Sequence, residues 1–334
     1  MNSDSRSIRR RDFLKYGGKA ALAASVAGTL GIKSGKVQAE QGSQESSGIA
    51  LQSIPDFIID SHIHTRPTEE WIDEMVEIYR RHNAMACAIT WYEDMEFMID
   101  AMNRYPDVFI GYGRVSVDDP EAVRQVQDFH ENGFLGMKFH SPRKNWDDPS
   151  YFQVYRLCEM YGMVMLFHTG ITSRRTFDGN PRYGSMGRMR PVYIDAICRQ
   201  FPNTTIQAAH FGNPWYDEAA ECARWNPNLF FDITGSTLYK FELLGNMDIM
   251  SQYLWWSQWE EAEENPHTLQ EGPTAWEHIV FGVDEGPAGL PRNIELFQKM
   301  IEANNVPRDE QPKMWGLTMA NILGIDPETK QRIR

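Results

Sequence analysis

Five of the nine histidines in this 334-residue chain stand at the ends of short apolar runs: His62, His64, His140, His168 and His210. The first run closes as Ile58-Ile59-Asp60-Ser61-His62-Ile63-His64. Side chains of an extended strand alternate faces, so His62 and His64 project to one side. Two imidazoles on one side can chelate an ion, with Asp60 behind them to orient a ring. A lone histidine in such a place is more often a satisfied core residue, and the pair reverses that reading. Lys138 and His140 share a side of a later run, and Asp284 closes the last one. Imidazole and carboxylate together suit zinc, with manganese or iron as alternatives, and three nitrogens plus one oxygen leave a position open for water. Water held there is acidified toward pH 7, and an adjacent carboxylate can accept its proton.

These residues need elements that bring them to one place. Strand-like runs fall at 56–61, 86–90, 108–113, 134–140, 162–168, 204–210, 228–234 and 278–284. Helical periodicity falls between them, at 69–82, 120–131, 150–161, 189–200, 214–224 and 291–304. Alternating strand and helix predicts parallel pairing through right-handed crossovers. Eight such units match a (β/α)8 TIM barrel, usually about 250 residues long, better than an open doubly wound sheet. No GxGxxG opens a helix, which weakens a dinucleotide-binding reading. In a barrel the carboxyl ends of all strands converge on one face, where the histidines, Lys138 and Asp284 would meet. One long departure, residues 235–277, holds Tyr253-Leu254-Trp255-Trp256 and Trp259. It reads as a helical insertion packed on the barrel or a partner subunit, or as a cover over the active face.

The formal charge is −13, and no basic stretch lies outside the N-terminus. Phosphate binding needs Lys and Arg, so nucleic acid is excluded as a partner and a small molecule is expected. Cys87, Cys158, Cys198 and Cys222 stand far apart and read as mostly buried thiols. Arg10-Arg11-Asp12-Phe13-Leu14-Lys15 resembles a twin-arginine export motif, followed by an apolar run from Ala20 to Ile32 and a small-residue exit at Val37-Gln38-Ala39. That run is too short to span a bilayer core of about 30 Å, so no stable membrane span is expected after processing. The expected organisation is a signal peptide at 1–39 read by the twin-arginine machinery, a flexible leader at 40–54, and one barrel over 55–334. Export to the periplasm follows from that reading, and a homodimer is left open.

The ordered motifs Asp60-x-His62-x-His64, Gly136-Met137-Lys138-Phe139-His140, Phe167-His168-Thr169-Gly170, Ala209-His210-Phe211-Gly212 and Phe281-Gly282-Val283-Asp284 resemble the amidohydrolase superfamily. The nearest resemblance is to its amidohydrolase-2 branch, over roughly 55–325. The resemblance implies one divalent metal, zinc or manganese, held by His62, His64, His168 and Asp284. It implies further that Asp284 shuttles the proton of the water and that His210 polarises the scissile group. Lys138 is implied to hold substrate or an ion-pair partner, with a carboxylated lysine bridging two metals as the alternative. Asp284-Glu285-Gly286-Pro287 departs from the pattern by placing an acid beside the base, and alternation turns Glu285 away to orient the loop.

After His168 come Arg174, Arg175, Arg182, Arg188 and Arg190 with one acid, Asp178. Arginine forks match carboxylates, so Arg174, Arg175, Arg188 and Arg190 are expected, with His140, to bind an anionic substrate, or else to pair with the acidic surface or a neighbouring subunit. The reading is a metal-dependent hydrolase of a small amide, ester or lactone. The alternatives are a non-oxidative decarboxylase of an aromatic or unsaturated acid, and a silent binding protein that kept the barrel. The silent reading is disfavoured because none of the four implied ligands is missing.

Overall fold

The structure, a computed structural model, describes residues 56–172, 185–259, 267–269 and 271–333. The expected signal peptide and leader, the arginines Arg174, Arg175 and Arg182, and part of the 235–277 segment lie outside the described residues.

Eight parallel strands follow one another in chain order in one sheet: β1 (Ile58–His64), β2 (Ala84–Trp91), β3 (Phe109–Val115), β4 (Gly136–Phe139), β5 (Val164–Phe167), β6 (Ile206–Ala208), β7 (Leu229–Asp232) and β8 (Ile279–Val280). The seam is drawn together by backbone bonds from Ser61 N to Phe281 O at 3.0 Å and from Asp284 N to His62 O at 2.6 Å. This is the TIM barrel that the alternation predicts. Strand alternation sorts the apolar side chains into two sets. Met85, Cys87 and Ile89 of β2, Ile110 and Tyr112 of β3, Leu166, Phe230 and Val280 form the inner set. Ala84, Ala86, Ala88, Phe109, Met137, Phe139, Met165 and Phe231 pack with the helices. Gly136 has no side chain because the Tyr112 ring fills that place, 2.6 Å from where a Cβ would stand.

The helices are α1 (Glu69–Arg81), α2 (Met95–Arg104), α3 (Ala122–Glu131), α4 (Phe152–Met160), α5 (Pro191–Gln200), α6 (Tyr216–Trp225), α7 (Ser236–Leu244), α8 (Met250–Tyr253), α9 (Leu290–Ala303) and α10 (Thr318–Leu323). Helix α1 shows why they form. The Thr68 side chain accepts a bond from Trp71 N, Glu69 and Glu70 occupy the first turn, and Arg80 and Arg81 the last, each end complementing the helix dipole. Trp71, Ile72, Met75 and Tyr79 then bury one stripe against the strands. Between β7 and β8, Met250, Leu254 and Trp256 are buried in the outer core, and the Tyr253 ring lies 5.3 Å from that of Tyr216 on α6. A π-helical turn at Lys313–Leu317 leads into α10, with Trp315 packed 5.0 Å from Phe281 and 4.7 Å from Phe297. All four cysteines are buried and free. Among the described residues no helix is long and apolar enough to cross a membrane.

Candidate active site at the carboxyl ends of the strands

The pairing of β1 with β2 shifts register between Asp60 and Ile63, so the strand carries an irregularity just where its chemistry begins. Asp60 holds that irregularity in place. Its Oδ1 accepts from His62 N and Val283 N, both at 3.0 Å, and its Oδ2 accepts from the Tyr79 hydroxyl of α1 at 2.6 Å. One buried carboxylate thus ties the end of β1, the segment after β8 and the first helix together. Burial pushes its carboxyl up to about 6, against the pull of those hydrogen bonds.

His62 Nδ1 lies 3.0 Å from Asp232 Oδ2 at the end of β7. A carboxylate can only accept, so Nδ1 carries the proton and Nε2 presents its lone pair to the barrel mouth. Around that lone pair stand Asp284 Oδ1 at 3.4 Å and Lys138 Nζ at 3.0 Å. His64 Nε2 lies 3.3 Å from the same Asp284 oxygen. Two donors bound to one ion at about 2.0–2.1 Å, at the tetrahedral angle, stand about 3.3–3.4 Å apart. The two separations from Asp284 Oδ1 match that geometry, the three donor atoms lie within 4.8 Å of one another, and these residues could hold a metal ion.

Tautomers on the opposite side lead to the same demand. The Thr234 hydroxyl donates to Asp232 Oδ1 at 2.6 Å and therefore accepts from His210 Nδ1 at 2.9 Å, which leaves His210 Nε2 without a proton. His168 Nε2 donates to Ile171 O at 2.9 Å, which leaves its Nδ1 bare. These two bare nitrogens face each other at 3.2 Å, and His210 Nε2 lies 3.8 Å from Asp284 Oδ2. Lys138 Nζ can donate to the His62 lone pair, but those of His168 and His210 still face each other beside Asp284 and repel unless a cation stands among them, so the donor set fits a divalent metal. His62, His64 and Asp284 form its tightest group, with His168 and His210 on the adjoining side.

The charges agree. Burial alone would raise Asp232, but the His62 ring and the His210 N–H that hydrogen-bond it hold this carboxylate well below its usual range. Burial pushes His168 well down and lowers His210, so both rings are neutral and able to donate a pair. Lys138 is fully buried, and burial brings its ammonium down to about 8 against the attraction of Asp284 and Asp232. The backbone is bent to serve the cluster: His210, Phe211 and Asp284 have φ of 63°, 48° and 52°, a region non-glycine residues seldom occupy.

The remaining expected residues fall at varying distance from this centre. The His140 ring lies 4.1 Å from that of His168, and its Nδ1 is 2.6 Å from Ser141 Oγ. Arg188 Nη1 donates to Pro142 O at 3.4 Å. Arg190 pairs with Glu218 of α6 and lies 5.2 Å over the Trp215 ring. Glu285 hydrogen-bonds Tyr239 of α7 rather than the donor cluster, the outward turn that alternation predicts.

Three partners escape a reading of the sequence. Asp232 accepts from His62, His210 N, Thr234 and Gln207 Nε2, and Gln207 also donates to Ser61 Oγ at 2.9 Å. Asp232 and Thr234 do close a predicted strand as Asp-x-Thr, the signal that could have marked them. Gln207 lies inside an apolar run with nothing to set it apart.

No curated protein matches the chain. Among solved structures, it is similar to an uncharacterised TIM-barrel protein of Bordetella bronchiseptica at 17% identity, covering 80% of this chain and 98% of that one, with a TM-score of 0.57. A putative amidohydrolase of Staphylococcus aureus is similar at 13% identity over 80% and 99%, TM-score 0.53. So is a 5-carboxyvanillate decarboxylase of Novosphingobium aromaticivorans, solved with manganese and 4-hydroxy-3-methoxy-5-nitrobenzoic acid, at 12% identity over 80% and 96%, TM-score 0.51. At these identities the likeness concerns the fold. The amidohydrolase family model matches residues 77–333, from the middle of α1 to the end of the described chain, and by that match the chain belongs to the amidohydrolase family, in its amidohydrolase-2 branch.

Proposed function

We propose that this chain is a metal-dependent hydrolase of a small anionic amide, ester or lactone. The observation that carries the reading is the convergence of His62 Nε2 and His64 Nε2 on Asp284 Oδ1, at 3.4 and 3.3 Å. His62, His64 and Asp284 would hold the ion, with His168 Nδ1 the further donor. When bound, zinc or manganese supplies Lewis acidity that polarises a carbonyl and acidifies water. The chain supplies the rest. Asp232 fixes the tautomer of His62 through Nδ1 and, through Thr234, that of His210. Asp284 Oδ2 would take the proton of the attacking water. From there the proton has a receiver in His210 Nε2, 3.8 Å away. The imidazolium so formed donates to the developing oxyanion and returns the proton to the leaving group. Lys138 Nζ brings positive charge to an anionic substrate from the β4 side. The twin-arginine motif of residues 10–15 supports export to the periplasm after removal of 1–39.

A second reading, a non-oxidative carboxy-lyase, is favoured by the buried ammonium of Lys138 beside the donor cluster and by the likeness to the decarboxylase that holds manganese with a nitrobenzoic acid. Two measurements decide. Elemental analysis should find about one zinc or manganese per chain, lost in a His62→Ala, His64→Ala double variant. Simple esters, lactones and aromatic acids are then offered to the loaded enzyme. Hydrolysis supports the first reading, and release of CO2 without hydrolysis replaces it with the second.

A further inference from the structure

On β2 the inner face of the barrel wall ends in an exposed indole. Met85, Cys87 and Ile89 of β2 belong to the inner core, and alternation puts Trp91, the next of that series, on the same face at the carboxyl rim. Trp91 is in register with Arg114 of β3, and Arg114 with Lys138 of β4, so three strands present one row of side chains there. Lys138 reaches from that row to His62 Nε2, at 3.0 Å. On the other side, His64 of β1 pairs with Ile89, two residues before Trp91. A rise of about 3.3 Å per residue and a strand spacing of about 4.8 Å then put the Cα atoms of Trp91 and His64 about 8 Å apart. The indole and the donor cluster are thus within reach of one small molecule.

Trp91 is 37% exposed, and of the exposed large apolar side chains among the described residues it is the one that belongs to a strand. A tryptophan exposed at the end of a helix, such as Trp225, needs no ligand to explain it, but the inner carboxyl rim of a barrel is where substrates enter. The Arg114 guanidinium lies 3.8 Å from the centre of the Trp91 ring, and among the described residues this is the ring contact Trp91 makes. A cation stacked on one face holds the indole in place, and a ring already fixed loses little freedom when a ligand covers it. Small-molecule sites pair such aromatic walls with a few polar groups that set orientation, and here those groups are the donor cluster and Lys138.

We infer that Trp91 determines specificity: its ring stacks on a planar aromatic part of the substrate while the carbonyl reacts at His62, His64 and Asp284. The substrate class then narrows from small amides, esters and lactones to those that carry an aromatic ring. The position of the reacting carbonyl rests on the hydrolase reading given above. The stacking platform does not, and the two can be tested apart.

The test is an NMR titration of the zinc-loaded full-length protein with benzamide and with cyclohexanecarboxamide, neutral probes of similar outline of which only the first is flat. Dissociation constants and the ring-current shifts of the bound probe are read together, with metal content recorded on the same samples. Wild type should bind benzamide about three- to tenfold more tightly, the worth of an aromatic pair, and shift its ring protons upfield. Trp91→Leu, which keeps an apolar side chain without a ring, should abolish both the preference and the upfield shift, with metal content unchanged. Trp91→Met is the second ring-free variant, for the case in which Trp91→Leu misfolds, and Trp91→Phe, which restores a ring, should retain most of both signals. A merely structural role for Trp91 would move folding or metal content, not the shift of a bound probe. Equal binding of the two probes by wild type, or an unaltered preference and shift in a folded ring-free variant, overturns the platform. Release of CO2 from 4-hydroxybenzoate without hydrolysis of its methyl ester, with the preference intact, overturns the hydrolase reading instead.

Discussion

At the scale of single residues, the site is organised by what each polar atom has left to offer once its supporting bonds are made. Asp232 is the centre of that arrangement, because its two oxygens set the proton positions of both His62 and His210. Replacing it with Asn puts an amide against His62 Nδ1, which is free to choose either tautomer. Metal affinity should fall about 10–100-fold, the usual effect of removing such an orienting partner, and competition with a chelator reads it directly. Asp284→Asn removes the proton acceptor while leaving a neutral oxygen donor. Turnover should then drop by orders of magnitude with the fold intact; a near-normal rate would move the base to His210. Gly235 tests the placement of His210 from outside the donor set. Its φ is +62°, and a Cβ there would stand 3.0 Å from His210 Nδ1 and 3.6 Å from Asp284 Oδ2. Gly235→Ala should displace the ring and lower kcat about 100-fold, the scale of a misplacement near 1 Å, with metal content retained. An unchanged kcat would mean that the proton path does not pass through this ring.

At the scale of elements, the barrel positions these atoms through a few close approaches of backbone to backbone. Gly316, in the π-helical turn before α10, is one of them: a Cβ there would meet Ile59 N at 2.9 Å, the Phe57 ring at 3.1 Å and Ile58 C at 3.2 Å. The turn exists so that the closing segment can lie against β1, the strand that carries His62 and His64. Gly316→Ala should cost about 1–3 kcal/mol, the range for overpacking, measured by urea unfolding. A loss well under that range would show that α10 can slide away from β1. This element was only partly legible. The family resemblance reaches over this segment, to about residue 325, but a π turn has no periodicity of its own to read. The strands were legible because their apolar runs alternate with turn residues, yet the run at 278–284 pairs with β7 only at Ile279–Val280. Beyond that point its backbone turns to β1, through Phe281 O and Asp284 N, and no pattern of side chains announces a change of partner. The five histidines and Asp284 could be read because strand ends converge in a barrel. Asp232 and Thr234 offer only the faint signal of a polar strand end, since such a residue gains meaning only from what lies across the sheet.

At the scale of the whole molecule, a barrel separates its two faces, chemistry at the carboxyl ends of the strands and stability elsewhere. His278 lies at the amino end of β8, away from the donor cluster, and is 3% exposed. Its Nδ1 donates to Leu229 O at 2.5 Å, and its ring lies 5.7 Å from Phe230. Burial lowers it from 6.5 to about 4, against the pull of that hydrogen bond. The unfolded chain therefore binds a proton that the folded chain refuses between those two values. The stability attached to the neutral ring is whole above pH 6.5 and is lost progressively as pH falls toward 4, reaching roughly 2 kcal/mol at pH 5. His278→Gln keeps a donor for Leu229 O and removes the titration. The variant should thus be no more stable than wild type at pH 7.5 and should gain on it by roughly 2 kcal/mol at pH 5, read by urea unfolding at the two pH values. Other acid-sensitive groups, Asp60 among them, are common to both proteins and cancel in the difference. Because the ring stands at the opposite face from the donors, kcat should be the same in both proteins throughout. A pH-independent difference would mean that the ring titrates normally in the folded chain. A changed kcat would mean that the two faces of this barrel are coupled through β8.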